Sequence, residues 1–177
     1  LHTKVALYAI YRIVSVVYDG EVPWAPVLVA VVALTCVVGA LSTFGEQTFR
    51  HAMAYQMVSG IGHMLIGVVV FTQVSLAGGL LYLVHHVITM GALLLTGGAI
   101  EHTYGSQRFD RLAGLMRREP WAAAVVALGL LSLVGLPPTS GLWGKLTLVV
   151  GAAEAPGWQA WVLVGSVVAA SVLSTMA

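Results

Sequence analysis

The chain has 177 residues, of which 59% are hydrophobic and 8% charged, with a formal net charge of +1 and a mean hydropathy of +0.93. Length alone would allow one or two soluble domains; this composition excludes them and requires a membrane protein. A net charge so near zero also excludes nucleic acid as a partner.

A spanning helix needs about 20 mostly apolar residues, because the hydrocarbon core is about 30 Å thick and the backbone must satisfy its own hydrogen bonds there. Six segments qualify, at 1–18, 24–43, 51–72, 79–100, 120–152 and 158–177. The expected fold is an all-α polytopic transmembrane helix bundle forming a single transmembrane domain over 1–177. The first segment is apolar from Leu1 and the last stops inside "VVAASVLSTMA", so the chain reads as a fragment of a longer polypeptide. No charged stretch with a small-residue cleavage site precedes the first span, so nothing reads as a removable signal peptide. The single cysteine, Cys36, lies mid-span and reads as a small core or lipid-facing residue.

The connection after the first span carries Asp19 and Glu21, the next carries Arg50, the third is uncharged, and the fourth carries Arg108, Arg111, Arg117 and Arg118. Basic loops alternate with acidic or neutral ones, which places 44–50 and 101–119 in the cytoplasm. The four arginines read as a topology signal first and a lipid or partner contact second. Segment 120–152 is too long for one plain helix and holds Pro137 and Pro138 near its middle; both lack a backbone donor and clash with the preceding turn. A helix broken at that pair follows. If it crosses once, Glu154 falls outside with Asp19 and Glu21.

Lys4 and Lys145 are the only lysines, and both lie within apolar segments. A lysine near the bilayer centre costs at least about 2.5–3.5 kcal/mol on insertion scales, so it persists mainly where it faces a bundle interior or water. An ammonium withdrawn from water also gives up its proton more readily. Lys4, close to the start of the chain, has a second reading as a residue snorkelling to the interface. Lys145 follows the helix break directly, with Gly141 and Gly144 leaving room beside it, and broken helices carrying a charge at the break are how transporters build mid-membrane ion sites.

In "LLYLVHHVITMGALLL" the pair His85 and His86 sits near the middle of the fourth span. Imidazole both accepts and donates a proton near neutral pH, so a mid-membrane histidine suits a relay. Tyr82, His86 and Met90 share one helical face, with His85 and Thr89 on the adjacent one; His85 has a competing reading as a hydrogen bond to a neighbouring helix. No carboxylate or cysteine stands at ligand spacing from the pair, so no metal and no cofactor is expected. His63, one turn after Ser59 in a glycine-rich stretch, reads as a packing residue rather than a relay member. His51 and His102 read as solvated.

The run "REPWAAAVVALGLLSLVGLPPTSGLWGKLTLV" resembles the second broken helix of the proton-translocating, antiporter-like subunits shared by respiratory complex I and the Mrp multisubunit Na+/H+ antiporters. "AYQMVSGIGHMLIG" and "YLVHHVITMGALLLTGGAIE" resemble the helix before the family's histidine helix and that helix itself, and "TKVALYAIYR" resembles the end of an earlier helix bearing a relay lysine. The ending GLPP-x-SG-x-WGK, with the paired histidines, is most similar to the D-type subunits of the Mrp complexes. The resemblance implies that 1–18 ends a first helical repeat and 24–177 is most of a second. It also implies that Lys145 is the terminal relay lysine, Lys4 the bridging one and His86 the central histidine. Two positions depart from the family pattern. Met90 stands where a lysine is usual one turn after the histidine and cannot carry a proton; Thr48 replaces a loop aspartate.

The function implied is a plasma-membrane subunit of a cation (Na+)/proton antiporter, not itself an enzyme, conducting protons along Lys4, His86 with His85, and Lys145. Its partners would be the other antiporter subunits and membrane lipid. Two alternatives stand beside it: a proton-pumping membrane subunit of a complex I-like oxidoreductase or membrane-bound hydrogenase, and a structural subunit whose channel is silenced at Met90.

Overall fold

The computed structural model describes residues 2–19, 23–111 and 114–177; Glu21, placed outside by its charge, falls outside them. Among the described residues eight α-helices follow in order, α1 (His2–Val17), α2 (Ala25–Ser42), α3 (Phe49–Val70), α4 (Gln73–Tyr104), α5 (Leu115–Arg118), α6 (Pro120–Val134), α7 (Ser140–Ala153) and α8 (Trp158–Met176), and no strand occurs. α2, α3, α4 and α8 are each long and apolar enough to cross a membrane by themselves. The 16-residue α1 and the pair α6 and α7 account for the other two expected spans.

Local chemistry sets where the helices start and stop. The third and fourth spans meet at a two-residue turn. Phe71 takes a left-handed conformation that ends α3, and Thr72 opens α4 with a capping box in which its hydroxyl accepts from Ser75 N at 3.2 Å while its own N–H donates to Ser75 Oγ at 2.9 Å. This cap starts α4 at Gln73, six residues before the expected boundary at 79. At about 1.5 Å per residue its 32 residues run about 48 Å, longer than the hydrocarbon core.

The break lies where the prolines demand it. α6 begins with Pro120, which needs no donor there. It ends at Gly135, whose φ of 87° suits only a residue without a Cβ, and the N–H groups of Gly135 and Leu136 both donate to the Leu131 carbonyl at 3.1 Å. The Pro137–Pro138 bond is cis, and α7 resumes at Ser140.

Five helices close into a ring, α2 against α3, α3 against α4, α4 against α7, α7 against α8 and α8 back against α2, while α6 packs on α4, α7 and α8 and α1 lies outside against α3. The Tyr11 hydroxyl ties α1 to the ring by donating to the Met64 carbonyl of α3. The ring's outer face carries Leu95, Trp161 and Val172, a surface that lipid solvates. Inside, one apolar cluster holds Leu7, Val32, Met64, Ile66, Leu148 and Leu163, and another holds Phe49, Ala52, Met53, Met90, Leu93 and Leu133. The order of residues along α3 and α4 places the second cluster on the side of the arginine-bearing loops, with a polar layer between the two.

Those loops are clipped together at one end of the bundle. Phe49 N donates to the Gln107 carbonyl at 3.0 Å and Phe109 N to the Gln47 carbonyl at 3.1 Å, a short antiparallel bridge between Thr48 and Arg108. The Arg50 guanidinium meets Glu101 at 2.7 Å, and Arg108 meets Asp110 at 3.1 Å, which holds that exposed carboxyl below its ordinary range. The described residues of 44–50 and 101–111 thus share one end of the bundle, as the charge pattern requires of loops on one side of a membrane.

Candidate functional site

Breaking a helix frees carbonyls that a continuous helix would have paired. One of them, that of Val134 at the end of α6, accepts a 2.8 Å hydrogen bond from Lys145 Nζ in α7. The same ammonium donates to Ser171 Oγ of α8 at 3.1 Å. Lys145 is 7% exposed, so its charge sits inside the bundle between three helices. The glycines make this possible: Gly135 has no side chain to displace the lysine stem, which passes close beside it.

The histidine pair faces the break from α4. His85 Nδ1 lies 2.9 Å from Ser140 Oγ, at the first residue of α7, and Thr89 Oγ1 lies 3.4 Å from the same nitrogen. A side chain at Gly141 would collide with the Ser132 carbonyl and crowd His85 Nε2, so the two halves of the broken helix and the imidazole meet where Gly141 leaves space. The hydrogen bond to a neighbouring helix, the competing reading of His85, is present. His85 also lies within reach of the Lys145 charge.

His86 is fully buried, and neither ring nitrogen has a partner among the described residues. Its ring rests on Gly60 of α3, where any side chain would overlap it. Buried imidazole nitrogens are rarely left unpaired. Lys4 approaches from α1 closely enough for its charge to act on the imidazole. It is 6% exposed, and its Nζ is also buried without a partner among the described residues. Its side chain is buried against the bundle although α1 itself lies outside the ring.

A third imidazole, that of His63, packs in the same layer. His63 Nδ1 donates to the Ser59 carbonyl at 2.8 Å, which fixes the tautomer because a carbonyl only accepts. Its Nε2 is buried without a partner among the described residues, and Cys36 Sγ lies 3.8 Å from Nδ1, which makes the cysteine a core residue. The Tyr82 ring stands among all three imidazoles, with centroid distances of 5.3 Å to His63, 5.7 Å to His85 and 5.9 Å to His86. Spacing by four had put Tyr82 and His86 on one face, but nothing local announced His63, Ser140 or Ser171. Each is an ordinary residue of its own helix and becomes polar lining only because the ring closes.

Met90 is buried one turn from His86, in the apolar cluster with Phe49, Met53 and Leu133. Among the described residues no group of three or more His, Cys, Asp or Glu is placed to hold a metal ion.

This layer lies within a region recognised across its whole length: residues 1–174 match the family described as NADH:quinone oxidoreductase/Mrp antiporter, transmembrane. The chain belongs to that family. It is 32% identical over 153 residues to the D-type subunit of the Na+/H+ antiporter of Alkalihalophilus pseudofirmus, covering 86% of this chain and 31% of that protein. To the N-type subunit of the NADH-quinone oxidoreductase of Desulforudis audaxviator it is 30% identical over 177 residues, covering 98% of this chain and 35% of that one. Among solved structures, a chain of the Mrp complex from Dietzia sp. DQ12-45-1b superposes with a TM-score of 0.89 at 40% identity, covering 99% of this chain and 33% of its own. The chain spans about a third of the length of the curated relatives it matches. It is a multi-pass membrane protein of this family.

Proposed function

We propose that the chain is part of a subunit of a plasma-membrane cation (Na+)/proton antiporter, a transporter component with no redox chemistry of its own, and that it conducts protons through Lys4, His86 with His85, and Lys145. The observation that carries this reading is the buried ammonium of Lys145, held at the helix break by a backbone carbonyl and a serine hydroxyl. The contacts are few enough for the proton to be released and strong enough for the site to reload. The break supplies carbonyl dipoles that favour a positive charge on the lysine. His85 links that charge to α4, and the Tyr82 ring keeps the three imidazoles in one layer where water can join them. On the far side Lys4 feeds or drains His86. The likeness to the D-type subunit of an antiporter and to a chain of an Mrp complex supports sodium as the exchanged cation and other antiporter subunits as partners. Replacing Lys145 with alanine in the full-length subunit within its complex should abolish sodium-dependent proton movement in inverted vesicles while leaving assembly intact; unchanged transport would refute the role.

The complex I-like reading draws on the likeness to the N-type oxidoreductase subunit over 98% of the chain. Under it the same relay is driven by a partner's redox chemistry, and proton movement follows electron donor, not sodium. The silent-channel reading draws on Met90, whose apolar surroundings interrupt any lysine-to-lysine line along α4. Met90→Lys should leave proton movement unchanged or raise it, and loss of movement in a complex that still assembles would argue against the assigned register.

A further inference from the structure

A hollow of about 310 Å³ opens under the arginine-bearing loop, where α4, α5 and α6 meet. Gly97 and Ile100 of α4, Leu115 of α5 and Val126 and Leu130 of α6 line it, and the edge-to-face pair Phe49 and Phe109 borders it. Trp121, 86% exposed at the start of α6, marks the level of the lipid head groups. Val126 and Leu130 stand five and nine residues further on. At about 1.5 Å per residue the hollow therefore reaches about 8–14 Å below that level, among the acyl chains. So apolar a space stays dry but takes up hydrocarbon.

Positive charge surrounds it. Arg108, Arg111, Arg117 and Arg118 each lie within three residues of a lining residue, and the stretch 108–119 holds these four arginines against two carboxylates. Arg108 is paired with Asp110, and Arg111 lies within reach of the same carboxylate. Arg117 and Arg118 are exposed and make no ion pair among the described residues; the Glu119 carboxylate next to them accepts from the Tyr104 hydroxyl at 3.4 Å. Among the described residues Gln107 is the one polar side chain on the wall of the hollow. It is 8% exposed, and its Nε2 donates to the Gly97 carbonyl at 2.8 Å and to Glu101 Oε2 at 3.0 Å. Its Oε1 is buried with no partner among the described residues, an acceptor in want of a donor.

We infer that this hollow holds an anionic phospholipid with a hydroxylated head group, of the phosphatidylglycerol kind. One acyl chain fills the apolar space. The phosphate lies against Arg117 and Arg118, whose planar guanidiniums each match two of its oxygens, and a head-group hydroxyl donates to Gln107 Oε1. Basic pockets between membrane helices recognise anionic head groups by this combination of charge and depth. A zwitterionic lipid brings the same chains but carries its own cation beside the phosphate, which makes it the weaker ligand. None of the proposed relay residues takes part, so the site stands or falls apart from the transport reading.

The full-length subunit within its complex is purified in detergent and mixed with phosphatidylglycerol bearing a photoreactive diazirine in one acyl chain; the labelled residues are then located by peptide mass spectrometry. Labelling is expected on the residues of α4 and α6 that line the hollow. Excess unlabelled phosphatidylglycerol should displace it, and phosphatidylcholine should do so several-fold less well. Arg117→Gln combined with Arg118→Gln, both at exposed positions, should weaken the labelling several-fold there and leave it unchanged elsewhere in the complex. In complexes that assemble, Leu115→Trp should exclude the chain and remove the labelling. No labelling of these residues, as when a protein segment covers the hollow, overturns the site; so do equal displacement by phosphatidylcholine and undiminished labelling in either variant. Phosphatidylmethanol, which keeps the charge and lacks the hydroxyls, should compete less well than phosphatidylglycerol, and equal competition overturns the contact with Gln107 and with it the assigned head group.

Discussion

Lys4 and Lys145 are the same residue type, both in apolar helices and both nearly sealed from solvent, yet their surroundings differ. Lys145 sits beside a break and finds a carbonyl and a hydroxyl. Lys4 sits in the unbroken α1 and finds no partner among the described residues. In a continuous helix each carbonyl is already paired four residues on, so it has little to offer a neighbouring ammonium; a broken helix has carbonyls to spare. The lesson is that the proline pair does more than interrupt α6 and α7. It makes the acceptor that lets a charge stay in the membrane.

The sharpest way to break this contrast is to remove each ammonium in turn. Lys4→Met deletes a buried charge with no partner among the described residues and should raise thermal stability in detergent. Lys145→Met also orphans the Val134 carbonyl and should raise it less or lower it. The gap between the two should be about 1–3 kcal/mol, the usual cost of stranding a buried polar group. Equal shifts would show that the break carbonyl contributes nothing.

A loss of similar size is expected on the histidine side of the site. Gly60→Ala puts a methyl group into the His86 ring and should cost about 1–3 kcal/mol, as overpacking does, while slowing proton movement. A stable variant with normal transport would show that His86 can leave its seat on α3 without consequence. The smallest effect belongs far from both lysines. Arg50 and Glu101 are largely exposed, so Arg50→Ala should change stability by about 0–1 kcal/mol and leave transport intact. A large loss would mean that the clipped loops govern the site.

Much of the architecture was legible because a bilayer tolerates so few backbone solutions. The spans at 24–43, 51–72 and 158–177 differ from the observed α2, α3 and α8 by no more than two residues at either end. The break followed from two prolines, whose missing donors no tertiary contact restores. The start of α4 was not legible from hydropathy, because Thr72 and Ser75 are polar and hydropathy counts them as loop, whereas their hydrogen bonds make them a cap. At the site, charge in an apolar setting pointed to Lys4, Lys145 and the histidine pair. His63 reads as a packing residue in the sequence, and that it stacks on Tyr82 of another helix leaves no signal in its own stretch.

Composition and the placement of prolines dictate a membrane-embedded helical chain and its break. These are one-dimensional constraints, since each residue's cost in lipid or in a helix depends mainly on its own chemistry and its near neighbours in sequence. That Val134 and Ser171 hold Lys145, that Ser140 meets His85, and that Tyr82, already a turn from His85 and His86 along α4, also meets His63 of α3 was decided only when the ring of helices closed. Hydrogen-bond partners drawn from different helices leave no periodic trace in any one of them.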